Sequence, residues 1–183
     1  MPRMIGERVV LREWLEKDIE ELSWVTDAEI TDKLSDNFLF PPTLLQIKNR
    51  VASFLDGSNS DKEFVIARKV DNKYLGQITF IHLDQKNQLG KIGIVIGDKK
   101  NHGKGYGKEA IELLLQFSFL RLNLHRVELD VMDFNDNAIA LYQKCGFNIE
   151  GRRRECYFIN GNFHDKINMA ILKSEWLNRY QSQ

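Results

Sequence analysis

Gly97-Asp-Lys-Lys-Asn-His-Gly-Lys-Gly-Tyr-Gly-Lys-Glu-Ala110 is the stretch on which the reading of this chain turns. A β-prone run, Leu89 to Ile96, precedes it. After it Ala110, Ile111, Leu114, Leu115, Ser118 and Phe119 recur at helical spacing, so the stretch joins a strand to a long helix. Its glycines leave several backbone N–H groups unscreened by side chains at the helix start. Those unpaired donors and the helix dipole favour an anion, and Lys99, Lys100, Lys104 and Lys108 add positive charge. The plainer reading is a loop that only needs positive φ.

Two phosphate-binding patterns compete for the stretch. A P-loop fails twice: Asp98, not glycine, lies five residues before Gly103-Lys104, and Gly105 follows the lysine where Ser or Thr is required. The dinucleotide fingerprint is a closer rival, because Gly105-Tyr-Gly107-Lys-Glu-Ala110 fits G-x-G-x-x-A and Asp130 lies about 20 residues on, at a strand end. That fold puts its first glycine directly after the strand, whereas Asp98 to Lys104 intervene here. Too little chain also remains for a doubly wound sheet.

Working outward, Arg8 to Trp14 is a short β-prone run, and Glu16 to Val25 reads as a helix entered through Asp18 with Ile19, Leu22 and Val25 on one side. Pro41-Pro42 breaks the chain. Thr43 then caps a helix with Leu44, Ile47, Val51, Phe54 and Leu55 at helical spacing, and Gly57 to Asp61 is a surface loop. Phe64 to Lys69, Leu75 to Leu83 and Leu89 to Ile96 are β-prone and separated by short polar breaks that suit antiparallel hairpins. Beyond the long helix come a strand, Arg126 to Met132, a helix, Asp136 to Lys144, and strands near Phe147 to Glu150, Cys156 to Ile159 and Phe163 to Leu172. The order gives an α+β fold, its sheet mainly antiparallel first and crossed by helices later.

The 183 residues fit one domain, 1–183, with one sizeable core. Lys plus Arg balance Asp plus Glu at 26 each, which disfavours nucleic-acid binding through bulk charge. Arg152-Arg153-Arg154 is a local exception, and three exposed arginines are a weak signal. Cys145 and Cys156 cannot build a disulfide framework, and no Cys/His spacing suits zinc, so no metal is expected. A reducing, cytoplasmic setting follows. No signal-peptide h-region and no apolar run of membrane-spanning length occurs, so no membrane is expected either.

Asn135-Asp-Asn-Ala-Ile-Ala-Leu-Tyr-Gln-Lys-Cys-Gly-Phe147 opens on an N-cap and closes on Gly146 as the residue past the helix end. At 3.6 residues per turn Asn135, Ala138 and Tyr142 share one side, so a cap amide and a phenol can face one ligand. Taken alone, Tyr142 reads more readily as a packed helical tyrosine than as a catalyst. With these residues quoted, the chain resembles the GNAT superfamily of acetyl-CoA-dependent N-acetyltransferases. His102 to Gly107 is similar to its Q/R-x-x-G-x-G/A pyrophosphate loop, and Asn135 to Phe147 to its N-x-x-A-x-x-x-Y-x-K-x-G-F helix. Arg8-Val-Val-Leu-Arg12, Glu150-Gly151, Arg154-Glu155, Gly161-Asn-Phe-His-Asp165 and Met169 resemble the branch of ribosomal-protein N-terminal acetyltransferases and bacterial spermidine acetyltransferases.

The resemblance implies a mixed, mainly antiparallel sheet with a central V-shaped splay, flanked by helices. The cofactor acetyl-CoA, a co-substrate, would lie against the strand residues Ile94, Val95 and Ile96. The loop residues His102, Gly103, Lys104, Gly105, Tyr106, Gly107 and Lys108 would hold its pyrophosphate, with Asn135, Ala138 and Lys144 on the other side. Tyr142 matches the tyrosine that protonates the departing thiolate. Direct transfer in a ternary complex suits the chemistry: an alkylamine of pKa near ~10.4 must lose a proton to attack, and the tetrahedral oxyanion needs a fixed donor. The two cysteines are then packing thiols.

His102 departs from the usual Arg or Gln that opens the loop. Lys91 departs further, standing where relatives often carry a Glu that helps deprotonate the amine. His82 and Asp130 are alternative bases, neither favoured over a structural role. The partner is a small-molecule amine or a peptide N-terminus; Glu16 to Asp36 is acidic, and Glu29 and Asp32 are candidates to meet a cationic acceptor, although charged runs are usually solvated faces. Homodimers are common in the resembled family, yet no apolar pattern marks an interface. Two other readings stay open: a non-catalytic acyl-CoA-binding domain, for which Lys91 argues, and a nicotinamide-dependent oxidoreductase built on Gly105 to Ala110.

Overall fold

The computed structural model describes residues 3–34, 40–58 and 62–180; Asp36 of the acidic run and residues 59–61 of the loop after Gly57 lie outside them. The strands are β1 (Met4–Ile5), β2 (Val9–Arg12), β3 (Lys62–Arg68), β4 (Tyr74–Asp84), β5 (Leu89–Ile96), β6 (Arg126–Met132), β7 (Asn148–Ile159) and β8 (Asn162–Leu172). The α-helices are α1 (Ala28–Thr31), α2 (Leu44–Leu55), α3 (Tyr106–Leu120), α4 (Asp136–Lys144) and α5 (Lys173–Tyr180). The strands hydrogen-bond in the order β1-β2-β3-β4-β5-β6-β8-β7. The chain gathers into two compact units, Met1–Thr79 with Ile94–Leu113 and Phe80–Gly93 with Leu114–Gln183.

In the first unit β2 runs antiparallel to β1 and β3, with Val9 opposite Arg68. The segment between β2 and α1 corrects the sequence reading. It is a 3-10 helix, Glu16–Thr26, broken at Leu22 (φ −86°, ψ 21°); its N-cap position is Leu15, and Asp18 lies inside the first turn, where its carboxylate accepts from the Leu15 N–H at 2.9 Å. The cause is tertiary. Asp18 is drawn inward by Arg12, with Nη1 to Oδ2 at 2.7 Å and Nη2 to Oδ1 at 2.9 Å, and both side chains are 1% exposed or less. Winding at three residues per turn then buries Leu22 and Trp24, while Ile19 and Val25 are only partly covered.

The α2 helix follows its local signals. Thr43 Oγ1 accepts from the Gln46 N–H at 3.2 Å and Gln46 Oε1 accepts from the Thr43 N–H at 2.7 Å, a reciprocal capping box. Of its five apolar positions Val51 is buried and Ile47 and Phe54 are partly covered, whereas Leu44 and Leu55 are exposed. Phe54 stacks on Trp14 at 5.6 Å. The indole N–H groups of this core find acceptors, Trp14 in Glu63 (3.1 Å) and Trp24 in the Tyr74 hydroxyl (3.2 Å), as buried aromatics with polar tips require. At Gly76 a Cβ would collide with the Val95 carbonyl oxygen, so only glycine lets β4 and β5 approach this closely.

In the second unit β6 pairs with β8 over seven residues, from Arg126 opposite Leu172 to Met132 opposite Lys166. Alternation along β6 buries Val127, Leu129 and Val131 and turns Glu128 and Asp130 outward. The parallel ladder between β5 and β6 covers three pairs, Leu89 to Lys91 with Arg126 to Glu128, and both strands continue past it. Two expected short strands, Phe147 to Glu150 and Cys156 to Ile159, are one strand, β7, interrupted by irregularities near Gly151 and between Arg153 and Tyr157. The α5 helix was not expected; its Trp176 packs against Phe119 at 5.4 Å.

Candidate active site

The glycine loop lies in the first unit. Gly103 (φ +72°) and Gly105 (φ +82°) adopt the left-handed conformation that glycine reaches without steric cost. The first helical bond of α3 runs from the Glu109 N–H to the Gly105 carbonyl at 3.1 Å. Helix geometry therefore leaves the N–H groups of Gly105, Tyr106, Gly107 and Lys108 without intrahelical acceptors, a positive pole suited to a diphosphate. His102 turns its ring back to the strand, Nε2 lying 2.9 Å from the Ile96 carbonyl. That contact requires Nε2 to carry the proton, and it occupies one carbonyl of the strand residues Ile94, Val95 and Ile96.

The lysines divide. Lys99 pairs with Glu29 (2.6 Å) and Asp27 (2.9 Å), and its charge is spent there. Lys108 pairs with Glu112 at 2.7 Å along α3. Lys100 and Lys104 are exposed at the loop, and their ammonium groups have no partner among the described residues. Of the acidic candidates, Glu29 is thus shared with Lys99, while the half-buried Asp32 carboxylate has no partner among the described residues.

In the second unit α4 is built as its sequence requires. The Asn135 side chain accepts from the Ala138 N–H at 3.4 Å. At the other end Gly146 (φ +98°) donates to the Gln143 carbonyl and Phe147 to the Tyr142 carbonyl, each at 3.0 Å, which makes a complete Schellman motif. Its apolar contact is Tyr142 against Phe147, edge to face at 6.0 Å. The helix stop therefore fixes the catalytic candidate. Burial holds the Tyr142 phenol well above the ordinary tyrosine range, with Cys145 adding to the shift, so it stays neutral at assay pH. Its hydroxyl bonds to nothing among the described residues and is not a sealed atom, unlike Asp133 Oδ1. The Lys144 carbonyl receives Arg179 Nη2 at 2.7 Å, and the Lys144 side chain is exposed.

The raised phenol has a sign that can be tested. Its folded value lies above the unfolded one near ~10, so its contribution to stability is complete below about pH 10 and is lost as pH rises beyond it. Tyr142→Phe removes that loss. Urea midpoints measured at increasing pH above about 10 should fall more steeply for the wild type than for the variant.

The two alternative bases fare differently. Asp130 accepts from Lys91 Nζ (2.8 Å), Arg153 Nη2 (2.7 Å) and the Asn168 amide, so three donors oppose its taking a proton. His82 is exposed on β4. Lys91, whose sequence position raised the doubt about a base, is the structural partner of Asp130. The arginine run is likewise employed: Arg152 binds Asp133 (3.0 Å) and Asp165, and Arg153 binds Asp130. An open depression of about 600 Å³ beside it is lined by Arg153, Arg154, Glu155 and Asp165, both signs together, which is no phosphate track.

Neither cysteine forms a disulfide; Cys145 is buried and Cys156 exposed. Among the described residues no cluster could hold a metal ion, and no helix is long and apolar enough to cross a membrane.

A family model for the acetyltransferase (GNAT) domain matches residues 8–148. The spermidine N(1)-acetyltransferase of Vibrio cholerae is 36% identical over 121 residues, 66% of this chain and 69% of that protein. An uncharacterized N-acetyltransferase from the SPbeta prophage of Bacillus subtilis is 31% identical over 172 residues, 93% of each chain. The crystal structure of the Vibrio cholerae spermidine N-acetyltransferase in complex with CoA and spermine superposes with a TM-score of 0.81 at 27% identity, covering 94% of this chain and 100% of that one. A dodecameric structure of the same bacterium's spermidine N-acetyltransferase gives 0.76 at 28% identity, covering 95% and 99%. These likenesses run through the open mixed sheet and its flanking helices, and they displace the nicotinamide reading of Gly105 to Ala110. With the glycine loop before α3 and the asparagine-capped, tyrosine-bearing α4 both inside the matched residues, the chain belongs to the GNAT family of acetyl-CoA-dependent N-acetyltransferases.

Proposed function

We propose that this enzyme transfers the acetyl group of acetyl-CoA directly to a primary amine of a polyamine, in a ternary complex, with Tyr142 as the acid that meets the CoA sulfur. The observation that carries the reading is the Tyr142 phenol, anchored by a Schellman motif, held neutral by burial and without a partner for its hydroxyl among the described residues. In this reading the N–H groups at the start of α3 hold the diphosphate, and Asn135, Ala138 and Lys144 of α4 are further donor-binding candidates. The chain works as one domain, since the three breaks between its compact units fall inside β4, β5 and α3.

The atoms balance simply. The neutral amine attacks the thioester carbonyl carbon, the C–S bond breaks, and an amine proton is released as the sulfur gains one. A free thiol has pKa near ~8.5, below the ~10 of an ordinary tyrosine, so outright proton transfer from Tyr142 runs uphill. Its main service is an O–H hydrogen bond to sulfur that strengthens as negative charge develops there, with proton exchange following. With Asp130 bound by three donors, water is the route by which the amine proton leaves.

Polyamines are favoured as acceptors by the likeness to the Vibrio cholerae spermidine acetyltransferase and by the Asp32 carboxylate, which has no partner among the described residues. Thiol release should be measured with acetyl-CoA and spermidine, spermine, diaminoalkanes and peptides of varied N-termini. A polyamine should exceed every peptide in kcat/KM by at least about tenfold. A peptide winning the panel would move the acceptor to the N-terminal class, and CoA binding without turnover on any amine would make the protein a non-catalytic binding domain.

A further inference from the structure

Glu109, in the first turn of α3, is buried and wholly engaged by one short segment distant in sequence. Its Oε1 accepts from the backbone N–H groups of Arg8 (2.8 Å) and Val9 (3.2 Å), and its Oε2 accepts from Arg8 Nε at 3.0 Å. Burial alone would raise this carboxyl, yet those donors hold it below the usual glutamate value. Arg8 then reaches onward: Nη1 donates to the Lys104 carbonyl at 3.1 Å. A Cβ on Gly105 would lie 2.9 Å from both terminal guanidinium nitrogens, so the group sits directly over the loop. All of these residues lie in the first unit.

The consequence lies in peptide geometry. The Lys104 carbonyl and the Gly105 N–H belong to one planar trans unit, in which the two bonds point in opposite directions. Holding the oxygen on the Arg8 side therefore aims the Gly105 N–H away from it. Gly103 and Gly105 flank Lys104 with positive φ, and without a restraint such a loop samples many orientations, so ordering it costs conformational entropy. The guanidinium supplies the restraint, and Glu109 fixes the guanidinium.

We propose that Arg8 is a positioning residue for the acyl donor: locked by Glu109, it holds the Lys104 carbonyl and so presents the Gly105 N–H to the diphosphate of acetyl-CoA. The inference rests on the reading of the glycine loop as the diphosphate site. Arg8→Met is the informative variant. It keeps the aliphatic stem, and both backbone donors to Glu109 Oε1 remain, so β2 stays docked on α3.

The test compares a donor that has the diphosphate with one that lacks it. For Arg8→Met the KM for acetyl-CoA should rise about tenfold, the equivalent of losing one charge-assisted hydrogen bond, with kcat within about twofold. The KM for S-acetylpantetheine should not move, nor should the thermal midpoint. Arg8→Lys, which cannot bind Glu109 and Lys104 together through a planar fork, should recover only part of the loss. Equal effects on the two donors, or no effect on either, would overturn the proposal and leave Arg8 a structural residue. A wild type that fails to prefer acetyl-CoA over S-acetylpantetheine would instead overturn the reading of the loop itself.

Discussion

Tyr142→Phe should lower kcat by about 10²- to 10³-fold while leaving the protein as stable as the wild type near neutral pH. The substitution removes one oxygen that bonds to nothing among the described residues. The ring keeps its edge-to-face contact with Phe147, and the Schellman bonds are made by backbone alone. The KM for acetyl-CoA should stay within about threefold, because the phenol acts as charge develops on sulfur and little before. Steady-state thiol release at saturating amine, alongside a thermal melt, decides the matter. A rate unchanged in a folded variant would take Tyr142 out of the mechanism.

Arg12→Ala should cost about 3–5 kcal/mol of stability, a large share of the ~5–15 kcal/mol that holds a domain together. Arg12 is buried, and all five of its N–H groups are used. Nε donates to Asn72 Oδ1, Nη1 to the Glu13 carbonyl and Asp18, and Nη2 to Asp18 and the Asn72 carbonyl. Truncation strands the Asp18 carboxylate in a site without solvent. It also releases Asn72, which turns with φ +56° between β3 and β4. At about 2–4 °C per kcal/mol for a chain of this size the melting point should drop by about 10 °C. The control replaces both partners by apolar residues, Arg12→Met with Asp18→Leu, and should recover most of the loss. If Arg12→Ala melts with the wild type, the buried pair contributes nothing, and the account of how Glu16–Thr26 is drawn inward fails with it.

Why some of this was legible in the sequence and some was not follows from the range of the interactions. The α2 and α4 helices carry their own punctuation, Thr43 with Gln46 and Asn135 with Gly146, and they form where those residues say. The glycine loop is likewise local: its glycines and the periodic run after them lie within a few residues of one another. The helix entered through Asp18 was misjudged because its cap-like aspartate answers to Arg12, a charge in the strand before it. The β7 strand looked like two because its irregularities near Gly151 and after Arg153 disturb the alternation. An available signal was passed over there, since Asn160-Gly161, both at positive φ, is a strong hairpin turn and joins Ile159 directly to Asn162.

In the candidate site the same division holds. Motif residues stand out in the sequence, whereas the residues proposed to orient them do not. Arg8 and Glu109 are 101 positions apart, and no spacing rule connects them. Lys91 looked like a defect in the catalytic set, and its ammonium instead holds Asp130, which Arg153 and Asn168 also bind from β7 and β8. Lys99 reads as positive charge beside the loop and serves Asp27 and Glu29. Charges read from sequence have no partners until the fold supplies them.

The most direct test of the central claim is a single-turnover experiment with acetyl-labelled CoA, following the label on protein and on amine by mass spectrometry. Without an amine the protein should carry no acetyl group, Cys145 and Cys156 included. With spermidine added, the label should appear on the polyamine, one thiol released for each acetyl transferred. An acetylated protein formed at a rate that accounts for turnover, or free thiol released without acetylated amine, would contradict direct transfer to an amine.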